Sequence, residues 1–229
     1  HSLRAAVLVN KVSKELEVNI QLKEIFINQS IKELANYILA QSKSTYTQIE
    51  KAAEKEYYRL SSGQKRLYFL YEFDKESLAY NMPYVLELKG ELDIDRLNQA
   101  FERRIDRHES LRTGFEIIGG VPVQRVYDKV DFKLACFHAG RAEVQGVIEN
   151  FIRPFDLKQA PLLRVGIVEL NPTEHLLMMD IHHIVTDGVS QRVLIDDFRQ
   201  LYSSDVSLPP LKKQYKDYAE WQQQSEQQK

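Results

Sequence analysis

The chain has 229 residues, of which 43% are hydrophobic and 28% are charged, and its formal net charge is −2 at pH 7. This composition is typical of a folded, soluble protein, and the near-balanced charge argues against nucleic-acid or anionic-membrane binding. No stretch is long and apolar enough for a signal peptide or membrane span. The single cysteine, Cys136, excludes an internal disulfide and fits a reducing cytoplasm. We expect Cys136 to be a small buried residue rather than a nucleophile.

Residues 1–41 carry hydrophobic side chains at helical spacing, which predicts three short helices. The third begins after Ser30, which has the residue type of an N-cap and is followed by Glu33 at the capping-box position. This helix is expected to bury Ile31, Leu34, Ile38 and Leu39. Three short helices form only a very small core, so this unit is expected to be incomplete or to depend on another part of the protein.

Residues 42–56 are polar and lack apolar periodicity, so they are interpreted as a linker. From Tyr57 to the end of the chain, helical and strand patterns alternate. This alternation predicts an α/β lobe over residues 57–229, with a mixed sheet covered by helices in a layered sandwich.

Within this lobe the expected elements follow one another along the chain. A helix over SSGQKRLYFLYEF and a strand over YVLELKG come first, and Asp93 then caps a second helix. The segment TGFEIIGGVPVQRVY predicts a hairpin that turns at Gly119 and Gly120. A helix over AEVQGVIENFI, two strands over LLRVGIVEL and EHLLMMDIHHIV, and two final helices complete the lobe.

The most informative local pattern is HHIVTDG at residues 182–188, between a strand and a helix. Because adjacent strand residues point to opposite faces, one of His182 and His183 should face the interior and the other a cleft. The sequence alone does not say which. A metal site is disfavoured because neighbouring histidines diverge and the usual zinc-ligand spacings are absent. Two buried structural histidines and a histidine in acid–base or polarising catalysis are the remaining interpretations.

This pattern resembles the HHxxxDG motif of condensation domains, which belong to the chloramphenicol-acetyltransferase-like superfamily. Three further segments resemble motifs of that family in the expected order: SSGQKRLYFL at residues 61–70, RHESLRTGF at residues 107–115 and YKDYAEWQ at residues 215–222. The PFDL and PLLR segments at residues 154–157 and 161–164 also resemble the family. Together these segments identify residues 57–229 as the N-terminal lobe of a condensation domain of a nonribosomal peptide synthetase.

The resemblance implies a catalytic role for His183, supporting roles for His182 and Asp187, and a backbone contribution from Gly188. The arginines of the RHESLRTGF segment, His108 and Arg66 are interpreted as bracing the fold through ion pairs, and Tyr218 and Trp221 as anchors of the last helix in the core. Asp187 should pair with a buried arginine such as Arg66, Arg112 or one in a second lobe.

The first residues, HSLRA, resemble the end of the carrier-domain motif GGHSL, and this resemblance implies that residues 1–41 are the C-terminal part of a peptidyl carrier domain. A serine that opens a helix is in general only an N-cap. The resemblance implies that Ser2 carries a covalent 4'-phosphopantetheine arm, which a phosphopantetheinyl transferase attaches. The implied partners are upstream and downstream carrier domains and the adenylation domains of the same bacterial synthetase, with no nucleic acid, membrane or metal involved.

Related activities remain as alternatives. Epimerization domains share HHxxxDG but usually continue with Trp where this chain has Gln191. A condensation-like domain that only docks carrier domains is a non-catalytic alternative. The resemblance implies that a donor thioester and an acceptor amine enter a tunnel between two lobes, with His183 as a base, a positioning group or a stabiliser of charge. Without the second lobe the chain is expected to be inactive.

Overall fold

A computed structural model describes residues 2–41, 49–203 and 208–227, apart from the side chains of residues 2, 3, 6, 226 and 227. The chain divides between Ile49 and Glu50 into two compact units. Each helix in the described ranges is too short or too polar to cross a bilayer.

The smaller unit contains the three predicted helices, α1 (Ser2–Leu16), α2 (Leu22–Ile27) and α3 (Ile31–Leu39). The capping box is confirmed: the Ser30 hydroxyl accepts a hydrogen bond from the Glu33 amide at 3.2 Å, and the Glu33 carboxylate accepts one from the Ser30 amide at 3.1 Å. The predicted burial of α3 is wrong, since Ile31 and Leu39 are 91% and 83% exposed. So small a unit has too little chain to cover both sides of α3.

The larger unit contains the other elements. In chain order they are β1 (Tyr58–Arg59), α4 (Ser62–Phe73), β2 (Asn81–Lys89), α5 (Ile94–Arg107), a 3₁₀ turn (Glu109–Arg112), β3 (Thr113–Ile118), β4 (Val121–Val126), β5 (Ala135–His138), α6 (Val144–Phe151), β6 (Leu163–Asn171), β7 (Glu174–His182), α7 (Gly188–Ser203) and α8 (Tyr215–Gln227). The predicted α/β class is therefore confirmed.

Two sheets organise this unit. The larger has the strand order β2-β7-β6-β5, and β5 is its only parallel strand among the described pairings. The smaller has the order β1-β4-β3, with all pairs antiparallel. The β3–β4 hairpin turns at Gly119 and Gly120, as predicted, with φ values of 57° and 81°. These left-handed conformations are accessible to glycine without steric cost, and they match the twist of a two-residue hairpin.

The main core lies where the larger sheet meets α5, α7 and the loops beside them. Strands β6 and β7 are buried along most of their length, because elements cover both of their faces. The fully or almost fully buried side chains include Leu60, Leu97, Phe101, Leu111, Phe115, Leu157, Leu162 and Ile167. This core holds the C-terminal end of β7 rigidly, and the histidine pair lies at that end.

The structure assigns part of the predicted linker to the larger unit. The Ala52 amide donates a hydrogen bond to Asp217 at 2.9 Å, and Lys55 forms an ion pair with Glu220 at 3.0 Å. Ala52 and Lys55 therefore contact α8, within the larger unit that begins at Glu50. The other part of the predicted linker, residues 42–48, lies outside the described ranges.

Two burial predictions are corrected by the structure. Cys136 is exposed, because it lies on the outer face of β5, an edge strand. On α8, Tyr218 and Trp221 are only half-buried. The residues that α8 buries against the unit are mostly polar: Lys216, Asp217, Ala219, Glu220 and Gln223. This helix is thus anchored largely by hydrogen bonds and ion pairs rather than by aromatic burial.

Candidate active site

The backbone of the histidine pair is fixed by strands on both sides of β7. His182 lies opposite Asn81 of β2, and its amide donates to the Leu162 carbonyl at 3.1 Å. The His183 amide donates to the Tyr80 carbonyl at 2.8 Å. Because both amides are bonded into neighbouring segments, the directions of the two side chains are set by the sheet rather than by a free loop.

The two imidazoles diverge, as the alternation of a strand predicts. His182 is buried, with 5% of its surface exposed, whereas His183 is exposed. The His182 Nδ1 accepts a hydrogen bond from the Ile184 amide at 3.1 Å, and the Phe155 ring meets the imidazole edge to face, with the centroids 6.0 Å apart. The structure therefore places His182 in the interior and His183 at the surface.

Burial, with a smaller effect from the nearby His183, lowers the pKa of His182 from 6.5 to about 4. His182 is therefore neutral near pH 7, and because its Nδ1 accepts a hydrogen bond, its proton is on Nε2. With so low a pKa the His182 imidazole is a weak base, and its unprotonated nitrogen already accepts a hydrogen bond. Its position suits a supporting role for the turn that follows it.

The residues after His183 return to the core. Ile184, Val185 and Thr186 are all at least 93% buried, and the Val185 amide donates to the His182 carbonyl at 3.2 Å. Thr186 Oγ1 is buried and has no hydrogen-bond partner within the described ranges. The turn thus buries three side chains in succession and leaves His183 directed outward before them.

Asp187 pairs with neither Arg66 nor Arg112 among the described residues, and its predicted pairing with an arginine of a second lobe stays a prediction. Asp187 is exposed, and its Oδ1 accepts hydrogen bonds from the Val189 amide at 3.1 Å, the Ser190 amide at 2.7 Å and the Ser190 hydroxyl at 2.7 Å. These are the contacts of an N-cap at the start of α7. Burial raises the pKa of Asp187, but these hydrogen bonds and the nearby His183 outweigh burial and hold it below its ordinary value.

Of the two arginines of this chain named as candidate partners, Arg66 and Arg112, the second has another role. Arg112 donates hydrogen bonds to the carbonyls of Tyr127, Asp128 and Asp106. The sequence predicts a buried Asp187 that needs an arginine partner from another part of the fold. In the structure Asp187 is exposed, so it does not need one. A serine three residues after an aspartate at a helix start was the local pattern that indicated a cap instead.

Gly188 is the first residue of α7, and a Cβ added to it would meet no atom within 4 Å. Nothing in the described chain therefore requires glycine at this position. The carrier-like Ser2 is the first residue of α1 and belongs to the smaller unit. Its side chain lies outside the described part of the structure.

His183 and Asp187 line a cavity of about 230 Å³. The four longer motifs contribute to its wall, whereas the PFDL and PLLR segments do not. The lining residues are Gly63, Gln64 and Leu67 from α4, Ser110 from the 3₁₀ turn, His183 to Asp187 and Ser190 around the histidine turn, and Tyr215 from α8. The motifs are far apart in the sequence, and the fold brings them to one place.

Five polar residues of this wall were not identified from the sequence as site residues: Gln64, Ser110, Thr186, Ser190 and Tyr215. The Tyr215 hydroxyl is 2.9 Å from the Ser61 hydroxyl, which caps α4 and is itself buried. The bracing role predicted for the RHESLRTGF segment is confirmed for Arg107 and His108, which both contact Asp197, at 2.8 and 2.7 Å. Ser110 is inside the same motif, so motif membership was the feature that could have identified it.

His183 is the imidazole that lines the cavity, and it is exposed. No described residue donates or accepts a hydrogen bond at its ring. Within the described ranges, no three His, Cys, Asp or Glu side chains are grouped so that they could hold a metal ion. The arrangement can supply one imidazole to a reactant that enters the cavity.

Curated proteins similar to this chain are large synthases. The chain is 44% identical over 222 residues to bacitracin synthase 3 of Bacillus licheniformis, covering 97% of this chain and 4% of that protein. It is 45% identical over 223 residues to tyrocidine synthase 3 of Brevibacillus parabrevis, covering 97% of this chain and 3% of that protein. The chain thus spans less than a tenth of the length of these relatives.

Solved structures agree with the fold. The X-domain from teicoplanin biosynthesis matches with a TM-score of 0.72 and 26% identity, over 79% of this chain and 41% of that one. The first condensation domain of the calcium-dependent antibiotic synthetase matches with a TM-score of 0.66 and 19% identity, over 76% of this chain and 44% of that one. The chloramphenicol-acetyltransferase-like fold expected from the sequence is confirmed by these matches. The sequence profile of the family described as "Condensation domain" matches residues 54–229, and the chain therefore belongs to the condensation-domain family.

Proposed function

We propose that this chain is part of a nonribosomal peptide synthetase and that its larger unit contributes to amide-bond formation between two carrier-bound substrates. The observation that carries this proposal is the exposed imidazole of His183 in a cavity whose wall contains residues of the four longer family motifs. The synthases to which the chain is 44% and 45% identical support the same setting.

In the proposed reaction the amine of the acceptor attacks the carbonyl carbon of the donor thioester. The new C–N bond forms, the C–S bond breaks, and the donor carrier's thiol leaves. The amine loses one proton and the thiolate gains one, so the reaction needs no other reactant. His183 can accept that proton as a base, or it can orient the amine and stabilise charge in the tetrahedral intermediate.

We further propose that this cavity is completed by a second lobe. The matched structures are more than twice as long as the part that this chain covers, 41% and 44% of their chains. His183 is exposed in the described unit, and catalysis of this kind benefits from excluding water around the reacting atoms. Residues 50–229 alone are then expected to lack activity.

The smaller unit is proposed to be the C-terminal part of a carrier domain that bears 4'-phosphopantetheine on Ser2. The matches to the synthases cover 97% of the chain and so extend into this unit. When attached, the arm supplies a thiol for thioester formation. The proposed partners are a phosphopantetheinyl transferase, the neighbouring carrier domains and the adenylation domains of the same synthetase.

Replacing His183 with alanine in the intact synthetase tests the function. We expect peptide formation to fall by about 10²–10⁴-fold, the usual contribution of a positioned acid–base group. Thermal unfolding should not change, because the side chain is exposed. His138→Ala, which removes another exposed histidine on β5, is the matched control and should retain its rate. A normal rate in the His183→Ala protein contradicts the proposal.

A second candidate is a docking function without catalysis. The similar teicoplanin X-domain has been solved in a complex with OxyB, and it matches this chain with a TM-score of 0.71 and 26% identity. A docking domain has no need for a free imidazole in its cavity. In the experiment above, His183→Ala would then leave peptide formation unchanged.

A further inference from the structure

A buried charged cluster lies next to His182, outside the residues of the histidine motif. Asp180 precedes His182 by two residues in β7, so both side chains point to the same face of the sheet. Asp180 is completely buried. Directly opposite it in β6 is Arg164, whose side chain is 16% exposed. A buried carboxylate is costly unless it is paired and hydrogen-bonded.

One oxygen of the buried Asp180 carboxylate is both ion-paired and hydrogen-bonded. Arg164 Nη1 lies 3.0 Å from Asp180 Oδ2, and Asn81 Nδ2 donates to the same oxygen at 2.7 Å. Asn81 belongs to β2 and Arg164 to β6, so the carboxylate in β7 is bonded from both neighbouring strands. This arrangement fixes the Arg164 guanidinium in one orientation.

The fixed guanidinium also holds the loop after α6. Arg164 Nη1 and Nη2 donate to the carbonyls of Arg153 and Pro154, both at 2.6 Å, and the guanidinium carbon lies 3.7 Å from the centre of the Phe155 ring. A planar group with several donors can make these contacts and the pair with Asp180 at the same time, which an ammonium group cannot.

Phe155 connects this loop to the histidine turn. Its ring meets His182 edge to face, with an interplanar angle of 84°. His182 in turn accepts the hydrogen bond from the Ile184 amide, which closes the turn directly after His183. A continuous series of contacts therefore runs from Asp180 through Arg164, Phe155 and His182 to the backbone that presents His183.

From this series we infer that Arg164 and Asp180 are positioning residues for the reaction at His183: they hold Phe155 against His182, and His182 fixes the turn. The inference rests on the proposed function. A cluster that serves only folding would change stability but not the rate per folded molecule. A cluster that positions His183 changes that rate, because small displacements of a reacting group are costly.

Arg164→Lys in the intact synthetase is the main test, since it keeps the charge but not the planar fork. The matched control is Arg107→Lys, at another largely buried Arg–Asp pair, which joins α5 to α7 through Asp197 and does not contact the histidine turn. With rates corrected for the folded fraction, we expect peptide formation to fall by about 10–100-fold for Arg164→Lys and by less than about threefold for Arg107→Lys.

A pH profile supplies a second measurement that a purely structural role would not affect. If the Phe155 loop loosens, water reaches His182 and its protonation becomes easier, so the acid limb of the rate should move up by about one pH unit. Phe155→Leu, which keeps every charge, should give the same shift, and Arg107→Lys should not. This variant also covers the case in which Arg164→Lys fails to fold.

The inference is overturned if Arg164→Lys and Arg107→Lys both retain the rate per folded molecule of the unmodified synthetase. It is also overturned if the acid limb of the pH–rate profile does not move in Arg164→Lys and Phe155→Leu. The proposed function has its own separate test. A normal rate in His183→Ala refutes the function, whereas a loss in His183→Ala together with normal rates in Arg164→Lys and Phe155→Leu refutes only the positioning role.

Discussion

The histidine turn has two sides, and they differ in burial. On the inner side, His182, Ile184, Val185 and Thr186 are buried in the core and hydrogen-bonded or packed in place. On the outer side, His183, Asp187 and Gly188 are exposed. Residues of both sides line the cavity, from His183 to Asp187, so the two sides differ in burial rather than in access to the cavity. The comparison shows how one short segment can both stabilise a fold and present a reactive group: neighbouring residues divide the two tasks.

Substitutions on the inner side should therefore cost stability. Ile184→Ala removes a side chain that is 4% exposed and leaves a cavity, so we expect a loss of about 2–5 kcal/mol in the free energy of unfolding. The matched control is Val189→Ala in the first turn of α7, where the side chain is 52% exposed and the change should be within about 0.5 kcal/mol. If urea unfolding shows equal losses of unfolding free energy for the two variants, the claim that the inner side of the turn stabilises the fold is contradicted.

The inner side should also make the fold sensitive to acid. The pKa of His182 is lowered to about 4 in the folded chain from 6.5, so the unfolded chain binds the proton first as the pH falls. The contribution of His182 to the free energy of unfolding is complete above about pH 6.5. It is lost as the pH falls toward 4, by about 3 kcal/mol in total. Burial lowers the pKa of His108 as well, and this adds a loss of the same sign.

Unfolding free energies measured between pH 7.5 and 4.5 test this dependence. His182→Asn keeps an acceptor but no titrating group at this position, so its stability should fall less steeply with acid than that of the natural protein. Parallel curves for the two proteins would show that His182 is not held neutral by burial.

On the outer side, replacing Asp187 should lower the free energy of unfolding by less than the loss of a buried ion pair would. Asp187→Ala removes an N-cap, which costs about 0.5–2 kcal/mol, and leaves no buried arginine unpaired among the described residues. Asp187→Asn should recover most of the loss, because asparagine is an equally good cap. A loss of more than about 3 kcal/mol in thermal or urea unfolding would point to a buried partner instead.

Local features of the fold could be predicted from the sequence. The cap at Asp93, whose carboxylate accepts a hydrogen bond from the Arg96 amide at 2.9 Å, depends on residues a few positions apart. The same holds for the turn at Gly119 and Gly120 and for the capping box at Ser30. Helices and strands with strong hydrophobic periodicity were predicted for the same reason, because the periodic pattern lies within the residues of the element itself.

Burial was harder to predict, because it depends on what packs against a face. Ser30 and Ser61 both begin helices with a capping box, but the first box is exposed and the second is buried beside the cavity. Hydrophobic Ile31 and Leu39 are exposed, and so is Cys136 on an edge strand. For Ile31, Leu39 and Cys136 the residue type indicated burial, but no neighbouring element in the described structure covers them.

The candidate site was predicted in part. The sequence placed a histidine pair at a strand end and required the two rings to diverge, but only the packing of Phe155 and Tyr80 around His182 identifies the buried one. The cluster of Asp180 and Arg164 was not predicted, although PLLR was noted as a family-like segment. Charged residues in two buried strands indicate a pair only when the register is known, and here the register places them opposite each other.

The most direct measurement of the central claim is a crystal structure of the intact condensation domain with an acceptor-carrier amine bound. The account predicts that a ring nitrogen of His183 lies within about 2.6–3.2 Å of the amine nitrogen, with His182 still buried and bonded to the Ile184 amide. An amine bound in the cavity out of reach of His183, directly or through one water, would contradict the claim that His183 is the reacting histidine.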